Sequence, residues 1–182
     1  MLRSKENPPV QSPDDLSLDQ FAGRWWVAHT KPRQEKALAW DVLRSEGIYF
    51  LPMYEITRTS RGRAWKSKLV LFPGYVFLCC QEEGRLRALQ TGRIANLIEV
   101  VDQKRLISEL SDIKRLIDTR FAIDPYPGLQ AGTLCRVKSG PLAGLEGRVE
   151  RRKNSTRFVV EVSMLGQGAS VEIDAGVLES IE

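Results

Sequence analysis

The sequence predicts an α+β domain followed by a small all-β domain, and three observations carry that prediction. From Trp25 to about Asp118, strand-like and helix-like runs alternate in the order β-α-β-β-α-β-α. The stretch Asp124-Pro125-Tyr126-Pro127-Gly128 then interrupts the alternation with two prolines and a glycine. Beyond it come five short strand candidates, separated by Gly140-Pro141, Lys153-Asn154-Ser155 and Gly166-Gln167-Gly168.

Residues 1–23 hold Asn7-Pro8-Pro9 and Ser12-Pro13-Asp14-Asp15 and few large apolar groups. Such a segment buries too little surface to offset its ordering entropy, so a flexible tail is expected, with Leu16, Leu18 and Phe21 able to dock on the body. Order is expected from Trp25-Trp26-Val27-Ala28-His29-Thr30, an aromatic and β-branched strand ended by Lys31-Pro32-Arg33. Gln34 to Glu46 reads as a helix stopped by Gly47. Leu38, Ala39, Val42 and Leu43 mark its inner side, and Arg33, Lys36, Trp40 and Arg44 its outer side. An aromatic interleaved with bases suits single-stranded nucleic acid, through phosphate attraction and base stacking; the same spacing also describes an ordinary solvated face.

A second strand is expected over Ile48–Thr57, bent at Pro52, and the basic run Arg58–Lys68 follows as a hairpin or loop with its tip at Gly62. The most apolar run in the chain is Leu69-Val70-Leu71-Phe72-Pro73-Gly74-Tyr75-Val76-Phe77-Leu78. It reads as a bend at Pro73-Gly74 leading into a buried strand. A short helix is expected over Glu82–Gln90 with Leu86 and Leu89 inward, a strand over Asn96–Val101, and a helix capped by Ser108 and running to about Asp118. These elements define a domain over residues 24–122, a linker over 123–131 and a second domain over 132–182. The short strands of the second domain suggest a barrel, because closure removes exposed edges.

Charge is unevenly placed. The net charge is +4, but residues 24–78 carry ten bases and four acids, whereas residues 79–130 and 131–182 are each balanced. A basic excess confined to one segment is the footprint of a polyanion partner. No stretch reaches the roughly 18 to 20 apolar residues of a membrane span, and no signal-like apolar core opens the chain. Three cysteines without CxxC spacing form neither a disulfide framework nor a zinc site, which fits a cytoplasmic protein without metal or cofactor.

Catalytic chemistry has little to stand on. His29 is the only histidine, with no nucleophile motif beside it, and reads as a packed or contact residue. Gly140–Gly147 is glycine-rich but lacks the Lys-Ser or Lys-Thr of a phosphate loop, so its glycines read as turn residues. No catalytic residue is assigned, and an enzyme is not expected.

Two motifs carry a family resemblance. Trp25-Trp26-Val27-Ala28-His29-Thr30-Lys31-Pro32-Arg33-Gln34-Glu35 before a helix, then Phe72-Pro73-Gly74-Tyr75-Val76-Phe77, resembles the N-terminal (NGN) domain of the NusG/RfaH transcription elongation factors. Gly132–Val149, containing Arg136, Val137, Gly140, Pro141, Gly144 and Gly147, is similar to the KOW motif of that family. The resemblance spans residues 24–182 and implies a function. The N-terminal domain would seat on the clamp helices of RNA polymerase and suppress pausing, with His29, Tyr54, Phe72, Pro73 and Tyr75 at the contact. For Phe72 and Tyr75 core packing is the competing reading. Lys31, Arg33, Lys36, Arg61, Arg63, Lys66 and Lys68 would face upstream or non-template DNA, with Trp40 stacking on a flipped base.

The KOW domain would recruit a ribosomal protein or Rho, with Leu142 where an aromatic is usual. Its many glycines and β-branched residues are poor helix formers, so refolding to helix is not predicted. The tract Thr30–Glu35 looks like specialised members that serve particular operons. A monomer is the default. The alternative is a KOW-containing RNA- or ribosome-binding module with no polymerase role.

Overall fold

The computed structural model describes residues 7–60, 62–119, 121–127, 132–152 and 155–181. The chain forms two compact units, residues 1–103 and 104–182.

The first unit is built on a five-stranded antiparallel sheet. Its strands are β1 (Gln11–Ser12), β2 (Arg24–Thr30), β3 (Ile48–Phe50), β6 (Tyr75–Cys80) and β7 (Ile94–Glu99), in the order β1-β3-β6-β2-β7. The predicted buried strand, β6, is thus central, paired with β2 on one side and β3 on the other. Helices α1 (Glu35–Arg44) and α2 (Glu82–Gln90) follow β2 and β6. One core cluster joins Leu38, Ala39 and Val42 of α1 with Ala28, Tyr49, Val76, Leu78 and Ala88. The alternate residues of the same strands, Trp25, Val27, Phe50, Phe77 and Cys79, are buried as well, so both faces of the sheet are covered. Strands β4 (Met53–Ser60) and β5 (Arg63–Val70) form a separate two-stranded ribbon, the hairpin expected around Gly62.

Three expectations for this unit are corrected. The N-terminal segment is not a free tail over its described part. Gln11 and Ser12 pair with Phe50 and Tyr49, Leu51 N–H donates to Val10 O at 2.7 Å, and Leu18 and Phe21 are buried. The physical reason is the β3 edge, whose unpaired backbone the segment satisfies while burying two large side chains. Leu16 stays exposed. On α2, Leu86 and Leu89 are exposed and Ala88 is buried, the reverse of the expected facing. Where this helix approaches the sheet, a Cβ at Gly84 would lie 2.8 Å from Cys80 Cβ.

The second unit holds most of α3 (Gln103–Asp118) and a six-stranded antiparallel sheet. Its strands are β8 (Ile123–Pro127), β9 (Thr133–Val137), β10 (Glu146–Arg152), β11 (Ser155–Val162), β12 (Gln167–Glu172) and β13 (Leu178–Ser180). Their order is β13-β9-β10-β11-β12-β8. Val137, Leu142, Leu145, Phe158, Val160, Val162 and Val171 are buried. The compact division falls at Gln103/Lys104, earlier than the boundary read from the prolines. α3 also begins five residues before the expected cap at Ser108.

Residues 123–127 are not linker. They form an edge strand that pairs Pro125 with Ala169 and Pro127 with Gln167. Proline is tolerated there because an edge strand can spare a ladder donor. The remaining linker residues, 128–131, lie outside the described residues. The end strands β8 and β13 are not hydrogen-bonded to each other, so hydrogen bonding does not close the expected barrel among the described residues. Within this unit α3 is tied to the sheet loops. Glu109 accepts from Ser163 N–H at 3.0 Å and Oγ at 2.6 Å, and Arg115 donates to Ala143 O at 2.8 Å.

No described helix is long and apolar enough to cross a membrane.

Candidate functional site

The bend Phe72–Tyr75 is held from two sides at Gly74. Gly74 has φ +87°, a region open to glycine and strained for other residues. Its N–H donates to Glu35 Oε1 at 2.7 Å, and its carbonyl accepts from Thr30 N–H at 2.8 Å. Glu35 is buried in the first turn of α1, where the helix dipole favours a carboxylate. One side chain thus ties the start of α1 to the bend.

This clamp presents the rings beside it. His29 and Tyr75 are cross-strand partners, with ring centroids 5.2 Å apart and planes inclined by 27°. His29 and Pro73 are exposed, and Tyr75 is half-buried. Tyr54, half-buried on β4 opposite Leu69, belongs to the base of the ribbon. Phe72 departs from the predicted contact set. It is 0% exposed and packs edge-on to Phe77 with centroids 6.2 Å apart. Its apolar ring fills the core while Pro73 takes the outward position, so Phe72 is a packing residue.

The tract Lys31–Gln34 is a shaped loop. Arg33 takes φ +62°, uncommon for a residue with a side chain. Lys31 N–H donates to Arg93 O at 2.8 Å, and Arg93 Nη1 donates to Gln34 Oε1 at 2.5 Å. Arg93 Nε also bonds the Asp41 carboxylate, which bonds Arg44 as well. Burial works to raise the Asp41 carboxyl, but the two arginines outweigh it and hold it below the usual carboxylate range. Lys31 and Arg33 remain exposed.

The rest of the predicted basic-aromatic face on α1 is committed internally. Lys36 Nζ donates to Asn7 Oδ1 at 2.5 Å and to Lys68 O at 2.7 Å, and burial lowers its ammonium below the ordinary value. That corrects its assignment to nucleic acid: a part-buried lysine holding two oxygens is a structural tie. Trp40 is half-buried on the same helix.

On the ribbon, Arg63 and Lys66 are exposed and Lys68 is half-buried. Lys66 pairs with Glu55 at 2.7 Å. Arg61 lies outside the described residues. Two residues at this end of the molecule escaped the sequence reading. Glu35 was legible only as the first acid of a helix, and Trp65, 44% exposed on β5, as an aromatic among bases.

The predicted KOW residues form the β9–β10 connection. Arg136 pairs with Glu146 at 2.6 Å and Glu179 at 3.7 Å, and Val137 is buried. Gly144 N–H donates to Val137 O at 2.8 Å, and Val137 N–H to Leu145 O at 2.9 Å. Gly140, Pro141 and Gly144 are exposed, and Gly147 is buried where a Cβ would stand 2.4 Å from Val159 O. Leu142, at the position expected to meet a partner, is 1% exposed. A groove of about 440 Å³ beside the loop is lined by Phe121, Pro141, Ile173 and Val177, with Glu172 and Asp174 at it.

A family model and several known proteins match this chain. The family model described as "Transcription termination factor nusG" matches residues 23–120. Proteins named "Transcription termination/antitermination protein NusG" from Vibrio cholerae and Vibrio parahaemolyticus are each 27% identical over 143 residues. Those alignments cover 75% of this chain and 79% of the relative. The solved structure titled "Domain interaction in Thermotoga maritima NusG" aligns with 87% of this chain and 97% of its own at 18% identity and a TM-score of 0.46. Because the family model matches more than half of this chain, over a stretch that includes the Gly74 bend and the Lys31–Gln34 loop, the chain belongs to the NusG family.

Proposed function

We propose that this protein is a transcription elongation and antitermination factor. Its first unit binds the clamp helices of RNA polymerase and contacts nearby DNA, suppressing pausing in the cytoplasm without catalysis of its own. The observation that carries the reading is the His29–Tyr75 ring stack beside exposed Pro73, clamped by Glu35. A stacked aromatic pair held at the surface by a buried carboxylate is placed to meet a partner rather than to fill a core. Exposed Lys31, Arg33 and Arg63 lie within the basic segment and would position the factor on upstream or non-template DNA without reading sequence. The Thr30–Glu35 tract supports a specialised family member serving particular operons.

The second unit would recruit a partner, a ribosomal protein or Rho, through the groove beside Pro141. The alternative is an RNA- or ribosome-binding KOW module; against it, three arginines of the described part of this unit, Arg136, Arg148 and Arg157, each pair with an acid of the same unit.

The test is a native gel shift of the full chain on a stalled transcription complex against a matched naked DNA bubble. The reading expects a shift of the complex that Tyr75→Ala abolishes. Equal binding to the naked bubble, indifferent to Tyr75→Ala, would leave a general nucleic-acid binder.

A further inference from the structure

The β4–β5 ribbon has two different faces. Residues opposite one another across an antiparallel ladder project to the same side. One side carries Arg58 with Trp65 and Ser60 with Arg63; the other carries Glu55 with Lys68 and Thr57 with Lys66. The second side is partly neutralised by the Lys66–Glu55 pair. On the first, neither Arg58 nor Arg63 has an ion-pair partner among the described residues, and Trp65, 44% exposed, stands directly across from Arg58 and two residues from Arg63 on its own strand. Every described residue from Thr57 to Lys66 is exposed, so this end of the ribbon makes little use of its side chains for folding. A large aromatic left at the surface beside two unpaired arginines, one across the ladder and one on the next rung, is a stacking platform with phosphate clamps next to it.

We propose that the Arg58–Trp65–Arg63 face binds single-stranded DNA, with one base stacked on the Trp65 indole and the two arginines on flanking phosphates. The choice of DNA as occupant rests on the polymerase reading above, in which this unit meets the displaced strand of the bubble. The stacking role assigned from sequence to Trp40 passes to Trp65. Trp40 is half-buried on a helix whose neighbouring bases are bonded internally, Lys36 to Asn7 and Arg44 to Asp41. Stacking is indifferent to base identity, so the face would hold the strand without reading it.

The experiment measures binding of the full chain to end-labelled 12-nucleotide single-stranded DNA, the same sequence as RNA, and the corresponding duplex, by fluorescence anisotropy over a salt series. Trp65→Ala should weaken single-stranded DNA binding by roughly fivefold to a hundredfold and leave the salt slope unchanged. Trp65→Tyr should recover most of the loss. Arg58→Gln should lower the salt slope by about 0.7, the release of one phosphate's counterions. Lys66→Gln, on the opposite face, should weaken binding less than Arg58→Gln.

Binding by Trp65→Ala equal to that of the natural chain overturns the proposal. So does duplex binding as tight as single-stranded binding, since a two-stranded ribbon also fits a major groove. RNA bound tenfold more tightly than DNA overturns the choice of occupant. These assays contain no polymerase. Loss of the Trp65 effect with an intact Tyr75-dependent shift of the stalled complex refutes the stacking face alone. A Trp65-dependent DNA complex without that shift refutes the polymerase reading alone.

Discussion

Replacing Glu35 with alanine tests the clamp on the bend directly. The residue is 9% exposed and accepts the Gly74 N–H at 2.7 Å. A hydrogen bond to a charged group contributes about 1.5–3 kcal/mol, and a carboxylate in a first helical turn about 0.3–1 kcal/mol. Relief of the buried charge's desolvation offsets part of that, which leaves a net destabilisation of about 2 kcal/mol. All four tryptophans lie in the first unit, so indole fluorescence during urea denaturation reports on that unit by itself. With a urea slope of about 1.5 kcal/mol/M, the midpoint should fall by about 1.3 M. Glu35→Gln keeps an acceptor without the charge and should lose about half as much. The Glu35→Ala chain should also shift the stalled transcription complex less well under native conditions, because Tyr75 follows Gly74 directly. A midpoint unchanged within about 0.2 M would refute the clamp.

Other perturbations separate packing from contact. Phe72→Ala removes a ring with no exposure and should lower stability by about 3–5 kcal/mol, whereas Tyr75→Ala should leave stability within about 1 kcal/mol of the natural chain and abolish the complex shift. If the two variants are equally destabilised, Tyr75 is a core residue. Gly147→Ala would force a Cβ to 2.4 Å from Val159 O and 2.8 Å from Phe158 Cζ, so the second unit should lose about 3 kcal/mol and its amides their exchange protection. Unchanged protection in β10 and β11 would count against that packing. Alkali should destabilise the first unit: burial pushes the Cys79 thiol up to about 12 from an ordinary 9.0 and raises the Tyr49 phenol as well. The unfolded chain loses these protons first, so the stabilisation is complete below about pH 9 and declines as pH rises toward about 12. Urea midpoints should fall across that window, and Cys79→Ala should make the decline shallower; a flat profile in the natural chain would contradict the burial effect.

Much of the fold was legible in local pattern. The apolar run at Tyr75–Cys80, the helix after Lys31-Pro32-Arg33 and the Gly62 hairpin each carry their own signal: β-branched and aromatic content, a 3.6-residue period, or a turn glycine. The N-terminal segment and the prolines at 125 and 127 misled because their composition is that of loops. Each is instead an edge strand, recruited by a neighbour's unpaired backbone. The exposed leucines of α2 misled for a related reason: in a nine-residue helix, Ala88 is the side chain that fits beneath it.

The candidate site divides along the same line. By itself the sequence determined the family, the basic excess in residues 24–78, and the bend that Pro73-Gly74 makes, because motif order, charge and glycine chemistry are properties of neighbouring residues. Only the tertiary structure decided which residues face outward. It sent Phe72 into the core and left His29 and Tyr75 stacked at the surface, tied up Lys36, joined Glu35 to a glycine 39 positions away, and set Trp65 on the same side of a ribbon as Arg58 and Arg63. Exposure and partnership depend on strand register and on what packs across space, and a one-residue change of register would have exchanged the two faces of that ribbon.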